Sequence, residues 1–230
     1  MTPATSARPS PHFGQPIRSA GPSLPRARLA VVLAHGRGGS PEDMLALGAH
    51  LAIADVAFVA PTAAGRSWWP RSFLAPLDDN APWLDSALGA FGAAVDEVAA
   101  GGLPPERIVV AGFSQGACLA LEHAARADRP YLGVVGLSGG LIGTQDAGGP
   151  STDDLYGHAP KTFDYAGDLA GTRVFLGCHE RDPHIPLTRV RETERVFAGL
   201  GADVVAQVYP GQGHGIVEQD ISFLRSLLNA

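Results

Sequence analysis

Three residues in this chain have the types and spacing that acyl-transfer chemistry requires. Ser114 stands in the run Gly112-Phe113-Ser114-Gln115-Gly116, between one apolar stretch at residues 108–111 and another at 117–125. A G-x-S-x-G run at a strand-to-helix junction is a nucleophile elbow: the flanking glycines let the backbone turn tightly, and the serine sits strained with its Oγ above the sheet edge. The first N–H groups of the following helix, that of Gln115 among them, then face any anion formed beside the serine. Such a serine needs a general base, an acid that orients the base, and donors for a developing oxyanion. Asp182 in "GCHERDPHIP" and His214 in "PGQGHGI" are the candidate acid and base, each in a loop after an expected strand. Alone, each residue has a plainer reading: a serine N-cap, a turn-forming aspartate before Pro183, a solvated loop histidine. The order Ser, Asp, His, with every member at a strand end, favours the chemical reading.

The elements that must position these residues follow from the hydrophobic pattern. Strands are expected at 29–34, 56–60, 108–111, 131–137, 172–176 and 203–209, and helices at 41–53, 82–100, 117–125 and 187–200, with a last helix from Ile216. Strands alternating with helices of ten or more residues make a mostly parallel central sheet with helices on both faces, an α/β fold. Ligands bind such sheets beyond the carboxyl ends of the strands, where all three residues fall. The loop "VLAHGRGGS" at 32–40 also leaves a strand, and its glycines would let the backbone N–H of Arg37 pair with that of Gln115 as an oxyanion hole. A phosphate-binding reading of that loop would need a GK[ST] that is absent. Trp68, Trp69, Phe73 and Leu74 follow another strand and are candidates to wall a substrate pocket, with Leu141 and Ile142 opposite; ordinary packing of long loops is the alternative for both groups. The stretch 143–171 is too long for a connector and is expected to cover the site or to form a partly mobile excursion.

Composition limits the alternatives. At 230 residues and 45% hydrophobic, the chain is expected to form one domain over 29–230 after a loose or partly ordered segment at 1–28 that is rich in proline and arginine. A net charge of −6 argues against nucleic acid or an anionic membrane as partner, and no apolar run has the length of a membrane span. Cys118 and Cys178 are too few for a disulfide framework and read as reduced core residues, consistent with a cytoplasmic protein. His179, Glu180, Asp182 and His184 crowd together, but their spacing matches no H-E-x-x-H motif, so no metal is expected.

Taken together, "HGRGG", "GFSQG", "RDPHIP" and "PGQGH", in this order and at these separations, resemble the bacterial carboxylesterase, phospholipase and acyl-protein thioesterase family of small α/β-hydrolases over roughly residues 29–228. The resemblance implies an α/β-hydrolase fold and a serine carboxylesterase acting on a small-molecule ester without a cofactor. It implies Ser114 as nucleophile, Asp182 as acid, His214 as base, and the amides of Arg37 and Gln115 as the oxyanion hole. Cleavage of longer-chain thioesters or lysophospholipids, or ligand binding without catalysis, are the alternatives. The oligomeric state is left open, a homodimer included. Arg37 stands where the family usually has leucine, "SWWP" at 67–70 replaces S-W-F-D, and the 143–171 excursion is not standard in the thioesterases. These departures bear on the substrate rather than on the chemistry.

Overall fold

The computed structural model describes residues 10–127, 129–144 and 149–230. Its centre is a seven-stranded sheet of β1 (Ile17–Ala20), β2 (Leu29–Ala34), β3 (Val56–Pro61), β4 (Ile108–Phe113), β5 (Gly133–Leu137), β6 (Arg173–Arg181) and β7 (Asp203–Gln212), in the order β1-β3-β2-β4-β5-β6-β7. All neighbours are parallel except β1 and β3. The helices are α1 (Pro41–Leu51), α2 (Leu77–Asn80), α3 (Trp83–Ala100), α4 (Gln115–Arg126), α5 (Leu187–Gly199) and α6 (Glu218–Asn229). β2 and β3 are buried at every position because helices cover both faces of the sheet, which is why their sequences are unbroken apolar runs rather than alternating ones. The pleat still sorts the side chains. Ala30, Val32 and Ala34 join a core with Phe91 of α3, Leu119 of α4 and Phe197 of α5, whereas Leu29, Val31 and Leu33 meet Met44 of α1 and Leu224 of α6.

This topology decides where a ligand can sit. From β2 the chain moves outward to β3, then crosses back over β2 to β4 and continues in the other direction. The crevice at the carboxyl ends of β2 and β4 is therefore the switch point of the sheet, and the loops holding Arg37 and Ser114 leave from it.

Several expectations need correction. Of the segment 1–28, expected to be loose or partly ordered, the described part from Ser10 onward is ordered. Ile17–Ala20 form an edge strand antiparallel to β3, and His12 is buried. Four residues with two polar side chains carry no periodic signal, so this strand was not legible. β6 and β7 run on past 176 and 209 and pair with each other as far as Arg181 and Gln212, with a register shift between His179 and Arg181. Their extensions are polar because they leave the covered part of the sheet. No described residue of the 143–171 excursion lines the cavity beside Ser114, although the Tyr156 hydroxyl donates to the Asp182 carbonyl oxygen and the Gly143 N–H to Phe73 O at 2.7 Å. The excursion lies against α4 and α5, where Leu155 and Leu169 are buried and the Tyr165 hydroxyl donates to the buried carboxylate of Glu122 at 2.9 Å. Residues 145–148 of that stretch lie outside the described residues.

Candidate active site

The strand-to-helix turn after β4 places Ser114 at φ 55°, ψ −120°, a left-handed conformation that costs a non-glycine residue about 1–3 kcal/mol. Neighbours on both sides enforce it. A Cβ on Gly116 would lie 2.1 Å from the Ala34 carbonyl oxygen, and one on Gly112 would lie 2.2 Å from that of Gly116, so both positions exclude a side chain. The Ser114 N–H donates to Leu137 O at 2.9 Å, tying the turn to β5. Its Oγ makes no capping bond to α4 and instead lies 2.9 Å from His214 Nε2.

Asp182 follows the end of β6 and is 1% exposed. Its Oδ1 accepts from the backbone N–H of His184 at 2.8 Å and of Ile185 at 3.1 Å, and its Oδ2 lies 2.8 Å from His214 Nδ1. Burial pushes this carboxyl up, but the bonds from His214 and the two amides outweigh burial and leave it below the ordinary carboxylate range. Because the carboxylate only accepts, His214 carries its proton on Nδ1, which leaves Nε2 to accept from the Ser114 hydroxyl. Phe113 packs against the His214 ring at 5.2 Å between centroids and His184 meets it edge-on at 4.8 Å, so the candidate base is held by two neighbouring rings.

Two loops supply the candidate oxyanion donors. Among the described residues, the backbone N–H groups of Arg37 and Gln115 have no hydrogen-bond acceptor. The Gln115 side chain reaches away from the serine: its Oε1 accepts from Trp68 N and its Nε2 donates to Trp69 O, each at 2.9 Å. The Arg37 guanidinium grips the same loop, donating to Ser67 Oγ (3.2 Å), Pro70 O (3.0 Å) and Arg71 O (2.6 Å). Partial burial holds this guanidinium below its ordinary value. The 67–71 loop is thus fastened to both candidate oxyanion donors, and Asn80 fastens its far end by accepting from Arg71 N and donating to Ser72 O.

A cavity of about 540 Å³ opens beside Ser114 and His214, with Trp69 and Phe73 among its walls. Trp68 and Leu74 are buried without lining it: the Trp68 indole N–H donates to His35 O at 2.8 Å, inside the core. Leu141 and Ile142, expected opposite, are fully buried and do not line the cavity either. Their loop turns inward because the buried side chains of Thr193 and Glu122 accept from the Leu141 and Ile142 N–H groups, and Arg189 donates to Leu141 O. His184 and Ile185, directly after the candidate acid, line the cavity instead, with Cys118 also reaching the lining. Cys118 and Cys178 are free and buried, and burial pushes the Cys118 thiol up to about 12, so neither offers a thiolate. Among the described residues no group of three His, Cys, Asp or Glu side chains could hold a metal ion.

Three contributors were not singled out from the sequence. His12 bridges the ends of the pocket loop, accepting from Ala64 N at 3.0 Å and donating to Trp68 O at 2.8 Å. His35 accepts from Ala63 N at 3.2 Å, and Asn80 acts as described above. His35 carried a signal, as a polar residue at the end of an apolar strand run, whereas Asn80 follows two aspartates and does not stand out. His12 carried none.

A parallel sheet with this elbow at its switch point is an α/β-hydrolase-like architecture, and similarity to known proteins narrows it. The phospholipase/carboxylesterase family profile matches residues 22–152, more than half of the chain, and the chain belongs to that family of hydrolases. The matched stretch contains Arg37 and Ser114, whereas Asp182 and His214 lie beyond it. Over 94% of this chain and 97% of the other, the structure superposes on a phospholipase/carboxylesterase from Dyadobacter fermentans with a TM-score of 0.82 and 38% identity. A carboxylesterase from Mesorhizobium loti shares the fold at 21% identity, with a TM-score of 0.65 over 94% of this chain and 95% of that one. Acyl-protein thioesterase 1 of Gibberella zeae is 31% identical over 127 residues, 55% of this chain and 49% of that protein. The chain spans about half the length of the curated relatives it matches. Among the described residues no helix is long and apolar enough to cross a membrane.

Proposed function

We propose that this chain is a serine carboxylesterase that cleaves a small ester through an acyl-enzyme intermediate. One observation carries the reading: the unbroken line of hydrogen bonds from Asp182 through His214 to Ser114, at 2.8 and 2.9 Å, on a serine whose strained backbone leaves Oγ free of the helix. Ser114 Oγ attacks the carbonyl carbon while its proton passes to His214 Nε2, and Asp182 stabilises the resulting imidazolium. The carbonyl oxygen, now an anion, takes hydrogen bonds from the N–H groups of Arg37 and Gln115. The bond to the leaving oxygen then breaks as His214 protonates that oxygen. A water molecule gives a proton to His214 and attacks the acyl carbon, releasing the carboxylic acid and restoring Ser114. No step calls for a cofactor, and the two buried free thiols suit a cytoplasmic setting. Thioester cleavage is the second reading, favoured by the similarity to acyl-protein thioesterase 1; the same steps serve a thiol leaving group.

The test is Ser114→Ala. It is expected to lower kcat on a chromogenic acetate or butyrate ester by roughly 10⁴-fold while leaving the melting curve unchanged, and a fluorophosphonate probe is expected to label Ser114 alone. Labelling of Ser138 or Ser40, or a variant that keeps its activity, would remove Ser114 from the mechanism. Parallel assays with acyl esters and thioesters of graded length decide between the two readings.

A further inference from the structure

The cavity beside Ser114 takes its basic side chains from Arg37, Arg71, His184 and His214, and among the described residues no aspartate or glutamate lines it. That is a local inversion in a chain with 23 acidic and 17 basic residues. The four groups differ in what they have left to offer. His214 is engaged with Ser114 and Asp182, and the Arg37 guanidinium is engaged with the 67–71 loop. Arg71 is different. Its backbone is fixed on both sides, the N–H donating to Asn80 Oδ1 at 2.9 Å and the carbonyl accepting from Arg37 at 2.6 Å, while its guanidinium has no hydrogen bond or ion pair among the described residues. Several exposed guanidinium groups are matched, Arg28 by Asp55, Arg181 by Glu180, Arg191 by Glu194 and Arg225 by Glu218, whereas Arg26 and Arg107 are exposed elsewhere on the surface; Arg71 differs from all of these in lining the cavity beside Ser114.

We propose that Arg71 determines specificity at this site and that the substrate is an ester carrying a free carboxylate, which supplies the partner Arg71 lacks. The proposal rests on the esterase reading given above. A guanidinium is charged at every working pH, and its planar fork matches a carboxylate with two parallel hydrogen bonds. Apolar lining from Trp69 and Phe73, and the lack of a competing acid among the described lining residues, keep its field from being cancelled. The locked backbone of residue 71 holds the base of the side chain in place before the ligand arrives, which lowers the ordering cost of binding. One unengaged fork suits a carboxylate better than a phosphate dianion, which needs several donors at once.

The experiment compares two neutral esters, ethyl hexanoate and ethyl butyrate, with two carboxylate-bearing ones, monoethyl adipate (charge on the acyl side) and butyryloxyacetate (charge on the alcohol side). Wild type is expected to show a lower KM for at least one of the charged esters than for its neutral counterpart. Arg71→Ala is expected to raise that KM tenfold or more, to leave its kcat within about threefold, and to leave both constants on the neutral esters nearly unchanged. Arg71→Lys is expected to restore part of the loss. Calorimetry of Ser114→Ala with monoethyl adipate and butyryloxyacetate reads binding without turnover, and adding Arg71→Ala is expected to weaken the tighter of the two tenfold. Equal KM values for charged and neutral esters in wild type, equal losses on both in Arg71→Ala, or unchanged calorimetric affinity would each overturn the proposal. So would inorganic phosphate competing as well as adipate at matched ionic strength. Neutral esters cleaved in a Ser114-dependent way without any preference for charge would sink the specificity proposal and leave the esterase reading standing. Calorimetric binding that depends on Arg71, without turnover of any ester, would do the reverse.

Discussion

His184 and His214 stack edge to face at 4.8 Å, yet they have unlike connections. His214 touches both Ser114 and Asp182, whereas His184 reaches Asp182 only through its backbone N–H. His214→Ala is therefore expected to cost kcat about 10³- to 10⁴-fold, and His184→Ala no more than a fewfold, in assays on a small neutral ester. Similar losses in the two variants would mean that the base has been misassigned. Arg37 also divides between backbone and side chain. Its N–H is the candidate oxyanion donor, and its guanidinium is spent on three oxygens of the 67–71 loop, which explains why this position can hold an arginine without putting a free charge beside Ser114.

At the scale of elements, the pocket loop is held by segments far apart in the chain. Gln115 and Arg37 hold it from the elbow and the β2 turn, Asn80 holds it from α2, and His12 holds it from the segment before β1. His12 is 2% exposed and serves both Ala64 N and Trp68 O, so His12→Ala leaves a donor and an acceptor unpaired in the interior. Such groups cost about 1–3 kcal/mol each. The variant is expected to melt several degrees lower and to raise KM more than it lowers kcat, because the loop carrying Trp69 moves while the hydrogen-bonded line to Ser114 stays. A drop in kcat alone would contradict this account. The 10–20 segment, expected from its composition to be loose or partly ordered, is accordingly part of the support of the site.

Across the whole molecule, buried histidines tie stability to pH. Burial lowers the pKa values of His12 and His35 and brings that of His123 down to about 4, with the Arg129 charge acting in the same direction on His123. Above the ordinary imidazole value both folded and unfolded chains hold these rings neutral. As pH falls through that value the unfolded chain takes up protons that the folded one refuses, so stability decreases, and for His123 the decrease continues to about pH 4. A shift of that size is worth roughly 3 to 3.5 kcal/mol at its full extent. Urea midpoints measured in steps between neutral pH and pH 4 are expected to fall steadily, and His123→Gln is expected to flatten the slope. The depressed pKa of Asp182 adds a further loss at lower pH, where the unfolded chain's carboxylates protonate. An unchanged slope in His123→Gln would show that His123 is not a source.

The strands β2 and β3, the elbow and the order Ser114, Asp182, His214 were legible in the amino-acid sequence because each has a local cause. Buried parallel strands demand unbroken apolar runs, a turn pressed against Ala34 demands glycine at 112 and 116, and chain order is simply the order of the strand ends. What lines the cavity was not local. Trp68 and Trp69 are adjacent and chemically alike, yet one is locked into the core by His35 while the other faces the cavity, and that choice is made by Gln115, some 47 residues away. Leu141 and Ile142 carry the composition of a pocket wall, but the buried partners Glu122, Arg189 and Thr193 draw their backbone inward. Short polar strands such as β1, and side chains whose partners arrive from distant segments, take their roles from tertiary hydrogen bonds that no window of sequence contains.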